Sequence, residues 1–126
     1  MNKAAITDIL RQIKELYSSI KQISLLLVDN FSEETLESFL KRRENLLKEV
    51  YYKEAEYTRL KNENTISSED CLQLKNEISD LIRAIISLDS CINEKISIRM
   101  ENIKKELSNL HGSSRVALAY TSQRRI

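Results

Sequence analysis

The chain has 126 residues, 41% hydrophobic and 31% charged, with 20 basic and 19 acidic side chains and a formal net charge of +1. That length suits one hydrophobic core, and the balanced charge gives no global electrostatic case for nucleic acid or an anionic membrane surface. A single glycine, no proline and no tryptophan exclude a phosphate-cradling glycine loop and argue against sheet-rich or irregular folds, which need turn residues.

The first helix is expected over about residues 3–29. Its apolar residues Ile6, Ile9, Ile13, Leu16, Ile20, Ile23 and Leu27 recur at alternating steps of three and four, a heptad seam. Leu10 and Tyr17 widen the stripe, so this helix should face two neighbours. The opening MNKAAITDILRQ carries charge throughout and lacks the apolar centre of a secretory signal, and the longest apolar run, LLLV at 25–28, is far too short to cross a bilayer. A cytoplasmic protein with reduced Cys71 and Cys91, and no membrane insertion, is the expectation.

The segment DNFSEET breaks the pattern. Asn30 or Ser32 can cap a second helix over about 33–62, with Glu33 and Glu34 where the helix dipole favours negative charge. Its seam is read as Leu36, Phe39, Leu40, Leu46, Leu47, Val50, Tyr57 and Leu60. Arg43 and Lys53 occupy seam-like positions, where their stems can cover apolar surface while the charges stay wet.

A second break, NENTISSED, offers Ser67 as cap for a third helix over about 67–111, opened by Glu69 and Asp70. Cys71, Leu74, Ile78, Leu81, Ile85, Leu88 and Ile92 repeat the three-four alternation. Ile96, Met100, Ile103, Leu107 and Leu110 continue it after a shift of phase that turns the apolar face in a new direction. At about 1.5 Å per residue this helix is about 66 Å long, against roughly 40 to 47 Å for the others. In an up-down-up antiparallel bundle its last 20 Å or so would project, with Ile98 and the five residues just named presenting apolar surface. The alternative is a bend near SLDSC, residues 87–91, whose Ser and Asp are poor helix formers.

The pattern is expected to stop at His111, with Gly112 supplying a positive-φ stop after the helix. Residues 112–126 then read as a flexible joint and a short tail, with Val116 and Tyr120 on one side of a helix too short to stand alone. Removing Arg115, Arg124 and Arg125 would leave 17 basic against 19 acidic residues, so the tail is the locally cationic part.

Little here supports catalysis. One histidine and two distant cysteines complete no zinc site, and the neighbouring acids Glu33/Glu34, Glu54/Glu56 and Glu69/Asp70 fall on capping or solvent-side positions. The chain is expected not to be an enzyme and to need no cofactor or metal. The KRR cluster at 41–43 is flanked by Glu37, Glu44 and Glu49 at intrahelical pairing distance, and Tyr51, Tyr52 and Tyr57 read as core and rim. What stands out is surplus apolar helical surface, which suits a partner's amphipathic helix. A second copy of the chain on the same face, making a structural coiled-coil or dimerisation module, is the other reading.

LKRRENLLKEV (40–50) and ISLDSCINEKISIRMENIKKELSNLHGSSRVALAY (86–120) carry a resemblance. The Leu-Asp before a run of isoleucines, the Met-Glu-x-Ile-x-x-Glu-Leu stretch and the glycine followed by Ala-x-Ala-Tyr resemble the small all-helical export chaperones of the bacterial flagellum, of FlgN and FliT type. That resemblance implies a cytosolic type III export chaperone holding the terminal amphipathic helices of a hook-filament junction or filament cap subunit. It implies client contacts in the helical C-terminal region, where the surplus apolar face offers Ile96, Met100, Ile103, Leu107 and Leu110. Tyr120 matches the tail tyrosine that helps dock FlgN-type members on the export apparatus, although SSRV replaces the lysine-rich approach usual there; Val116 shares the tail's small apolar docking face with it.

Overall fold

The computed structural model describes the backbone of residues 2–63 and 69–124, and the side chains of residues 4–62 and 69–110. Three α-helices and no strand occur among the described residues: α1 (Asn2–Asp29), α2 (Glu33–Glu63) and α3 (Glu69–Arg124). The chain divides into two compact units, residues 1–92 and residues 93–126. The cap expected at Ser67 lies outside the described residues.

In the first unit, α1 is the element that both other helices cover. Ile6, Ile9, Leu10 and Ile13 form a cluster with Cys71 and Ile78 of α3, and Tyr57 and Leu60 of α2 pack against it. A second cluster joins Ile20 to Val50 of α2 and Ile85 of α3, with Leu16, Tyr17 and Leu46 packed round it. Each of these aliphatic side chains contributes about 1.5–3 kcal/mol when fully buried. The widened stripe on α1 is the reason: one seam of residues cannot serve two neighbours. Ser24, wholly buried, resolves its hydroxyl internally by donating to the Ile20 carbonyl at 2.7 Å.

The joint between α1 and α2 is closed by side chains. The Ser32 hydroxyl accepts from the Thr35 amide at 3.1 Å while the Thr35 hydroxyl accepts from the Ser32 amide at 2.8 Å. This is a reciprocal capping box with threonine where glutamate is more common. Ser32 therefore caps α2, and the Thr35 hydroxyl ties the joint back to the Asn30 carbonyl at 2.8 Å.

The seam of α2 differs from the one expected. Leu40 and Leu47 are exposed, at 54% and 41%. The inward positions are Leu36, Phe39, Arg43, Leu46, Val50, Lys53, Tyr57 and Leu60, an unbroken alternation of three and four. The heptad geometry thus overrides hydrophobicity, placing two cations inward and two leucines outward. Tyr51 and Tyr52 also lie outside, each 70% exposed and touching edge to face; only Tyr57 joins the core.

Along α3 every seventh residue is buried, Cys71, Ile78, Ile85 and Ile92, with Leu74, Leu81 and Leu88 half-buried between them. The helix is unbroken through residues 87–91, and it is equally unbroken through His111 and Gly112, where a stop was expected. No described glycine has positive φ. Gly112 costs a helix about 1 kcal/mol relative to alanine without being able to end it. Cys71 and Cys91 both lie on α3 and neither forms a disulfide; twenty residues of helix hold them about 30 Å apart, far beyond bridging distance.

Candidate helix-docking face

One inward cation of α2, Arg43, explains part of the helical continuity of α3. Arg43, at a seam position, clasps Asp89 of α3 through both guanidinium nitrogens, Nη1 to Oδ1 and Nη2 to Oδ2, the latter at 2.8 Å. The side chains are 24% and 33% exposed, and the guanidinium carbon sits 5.8 Å from the Phe39 ring centre. Arg43 is thus paired across the bundle, where sequence reasoning left its charge in water. Asp89, a poor helix former read as a bend signal, has this partner to hold it in place. The rest of KRR is as expected of a solvated face: Lys41 lies 3.6 Å from Glu37 one turn away.

Two more polar contacts tie the first unit together. The Tyr17 hydroxyl donates to Glu54 at 2.8 Å. Burial, then the bond to Glu54 and its negative charge, push the Tyr17 phenol up to about 12. Lys14 meets Glu77 at 2.6 Å, and the hydrogen bond from Lys14 holds the Glu77 carboxyl below its ordinary value. Near them Leu10, Ile13, Tyr57 and Ile78 line an open hollow that Lys61 and Lys75 also border, with the Lys75 ammonium 5.6 Å from the Tyr57 ring centre. None of these pairs was legible beforehand, because residues 37 or 63 apart carry no local signal.

The second unit carries the residues singled out from sequence. Ile96 and Ile103 are half-buried; Met100, Leu107 and Leu110 are 56%, 54% and 64% exposed. Spaced four, three, four and three apart, the five fall within about 80° of the helix circumference and run about 21 Å along it. They form a true stripe. Ile98, also exposed at 52%, is not part of it: two residues from Ile96, it lies on the opposite side of α3. Arg99, Lys104 and Glu106 flank the stripe, and all three are exposed.

Unbroken helix through Gly112 also repositions the tail residues. Positions 116 and 120 fall about 200° and 240° round from the stripe's centre, on the far side of the helix from it. The side chains of Val116 and Tyr120 lie outside the described residues, as does the imidazole of His111.

Apolar surface that sequence reasoning misplaced lies on α2, where Leu40, Leu47 and Tyr51 share an outward face with Glu44 between the two leucines. Its spacing of seven and four was visible, but the leucines were read as seam. Among the described residues no three His, Cys, Asp or Glu side chains are grouped to hold a metal ion, and no described helix is long and apolar enough to cross a membrane. No family model, curated protein or solved structure matches this chain.

Proposed function

We propose that this chain is a cytoplasmic helix-holding chaperone, and that the Ile96–Leu110 stripe takes the terminal amphipathic helix of an aggregation-prone client. The single observation carrying the reading is the stripe itself. Five apolar residues stand at coiled-coil spacing, and three of them are more than half exposed, an arrangement that costs solubility unless a partner covers it. The resemblance to FlgN- and FliT-type flagellar export chaperones supplies the client class: a hook-filament junction or filament cap subunit, kept from premature assembly and delivered to the export apparatus.

The first unit serves in this reading as an up-down-up bundle that anchors α3. The order of contacts supports it, since the start of α1 meets the end of α2 and the start of α3, and Ile20 meets Val50 and Ile85 farther along. Binding follows from differential burial. A client helix shielding Met100, Leu107 and Leu110 gains about 1.5–3 kcal/mol for each side chain fully buried and less in an open groove, enough for micromolar affinity after the cost of association.

Calorimetric titration with synthetic terminal helices of flagellar junction and cap subunits tests the reading. Micromolar binding by the wild type, weakened tenfold or more by Leu107→Asp, is the expected result. Leu107 is exposed, so the variant should fold. Absence of binding to every such helix would overturn the client assignment and favour a structural coiled-coil module.

A further inference from the structure

We infer that the groove between α2 and α3 in the first unit is a second docking site, and that it takes an amphipathic helix with carboxylates at one end. The groove lies wholly within residues 1–92, so the inference does not rest on the Ile96–Leu110 stripe or on the chaperone reading.

Two contacts set the walls of the groove level with one another. Tyr57 of α2 meets Lys75 of α3 and Arg43 meets Asp89, so descending α2 matches ascending α3. Glu54, Thr58 and Lys61 border the same hollow as Lys75 and Ser79, with Leu10 and Ile13 at its floor. Carried along at steps of three and four, the α2 wall reads Leu47, Tyr51, Glu54, Thr58 and Lys61. The α3 wall reads Leu72, Lys75, Ser79, Ile82 and Ile86 by the same spacing. Tyr51 then lies level with Ile82, and Leu47 with Ile86. Tyr51, Leu72 and Ile86 are more than half exposed and Leu47 is exposed beside them. Scattered singly such residues would need no partner, but here they stand on two facing walls.

Length and charge select the occupant. From Leu47 to Lys61 the wall runs about 21 Å, close to four turns of helix. Lys61 and Lys75 stand at one end, the Lys75 ammonium 5.6 Å from the Tyr57 ring centre. Glu54, the one carboxylate in the two walls, is held by the Tyr17 hydroxyl. A wholly apolar cover would strip water from two ammonium groups and give nothing back; carboxylates at that end of the occupant supply the counter-charge. At the other end Leu47, Tyr51, Ile82 and Ile86 match aliphatic residues at three-four spacing.

Fluorescence anisotropy on the full chain tests this with a labelled synthetic helix of about 16 residues, leucines along one face and glutamates at one end. A dissociation constant of about 10–100 µM is expected. The same peptide with lysines in place of the glutamates should bind at least tenfold more weakly. Ile86→Asp and Lys75→Glu should each weaken the acidic peptide about tenfold or more, whereas Leu107→Asp, on the stripe, should leave it unchanged. All three sites are exposed, and unchanged circular dichroism would show that the variants fold. No binding, or equal binding of the acidic and basic peptides, would overturn the inference. So would loss with Leu107→Asp but not with Ile86→Asp, which moves the peptide to the stripe. A wild type that sediments as a dimer and returns to monomer with Ile86→Asp would put a second copy in the groove and overturn the assigned occupant. The client helices of the calorimetric test depend on Leu107 and not on Ile86, so the two readings fail separately.

Discussion

Arg43 and Asp89 offer the sharpest quantitative test of how this bundle is specified. Breaking a fully buried ion pair by removing one partner costs about 3–5 kcal/mol, whereas exposed pairs contribute about 0–1 kcal/mol. With side chains 24% and 33% exposed and two hydrogen bonds between them, this pair lies between those limits. Asp89→Ala should destabilise the chain by about 2 kcal/mol, because it strands a guanidinium at an inward position beside Phe39. Arg43→Met keeps an unbranched stem in the seam but strands the carboxylate, and should cost about 1.5 kcal/mol. The double variant, with neither charge present, should be no worse than Arg43→Met alone, which gives a coupling energy of about 2 kcal/mol.

Urea denaturation followed by far-UV circular dichroism at neutral pH measures all four proteins. The coupling should keep more than half its size in about 1 M salt, since partly buried pairs are poorly screened. A coupling below about 0.5 kcal/mol would refute the reasoning and return Arg43 to the role of a snorkelling side chain.

Two further outcomes follow from particular residues. The phenol of Tyr17 is raised from 10.0 to about 12 by burial first and by Glu54 second, so the folded chain favours the neutral ring. The stability this confers is present below pH 10 and is lost as pH rises from 10 towards 12. Discounted for the solvent around a half-buried ring, the loss is about 1 kcal/mol. The stability difference between wild type and Tyr17→Phe should therefore shrink by that amount across the alkaline range; parallel alkaline curves would remove Tyr17 as the source. Gly112→Ala should slow amide exchange over residues 113–124 about twofold to fivefold, because alanine favours helix by about 0.5–1 kcal/mol at a position whose φ it can adopt. Unchanged or faster exchange would mean that Gly112 is not helical in solution.

Periodicity made the helices and their core legible. Every residue of the expected α1 seam is inward, and α3 keeps its seven-residue repeat from Cys71 to Ile92, because burial on a helix is a local pattern read at 3.6 residues per turn. Hydrophobicity misled on α2. Leu40 and Leu47 were credited with burial for being leucine, while Arg43 and Lys53 held the positions that geometry turns inward. The partner that makes Arg43 tolerable there, Asp89, is 46 residues away, and only the packed structure joins them. Gly112 failed as a stop for a related reason. A glycine permits positive φ but does not impose it, and its cost of about 1 kcal/mol is small against the cooperativity of a long helix.

The polar exceptions and the apolar stripe have one logic. In residues 1–92 the inward Arg43 is matched by Asp89 on another helix, and every buried side-chain polar atom among the described residues has a hydrogen-bond partner. Beyond Ile92 the stripe still holds apolar residues at coiled-coil spacing, but the inward positions of the earlier repeat pass to Lys95, Arg99, Asn102 and Glu106. That exchange sets charged side chains beside the apolar line. Charge flanking an apolar line suits a helix face that meets another helix, and the proposed client helix would take its direction from those charges.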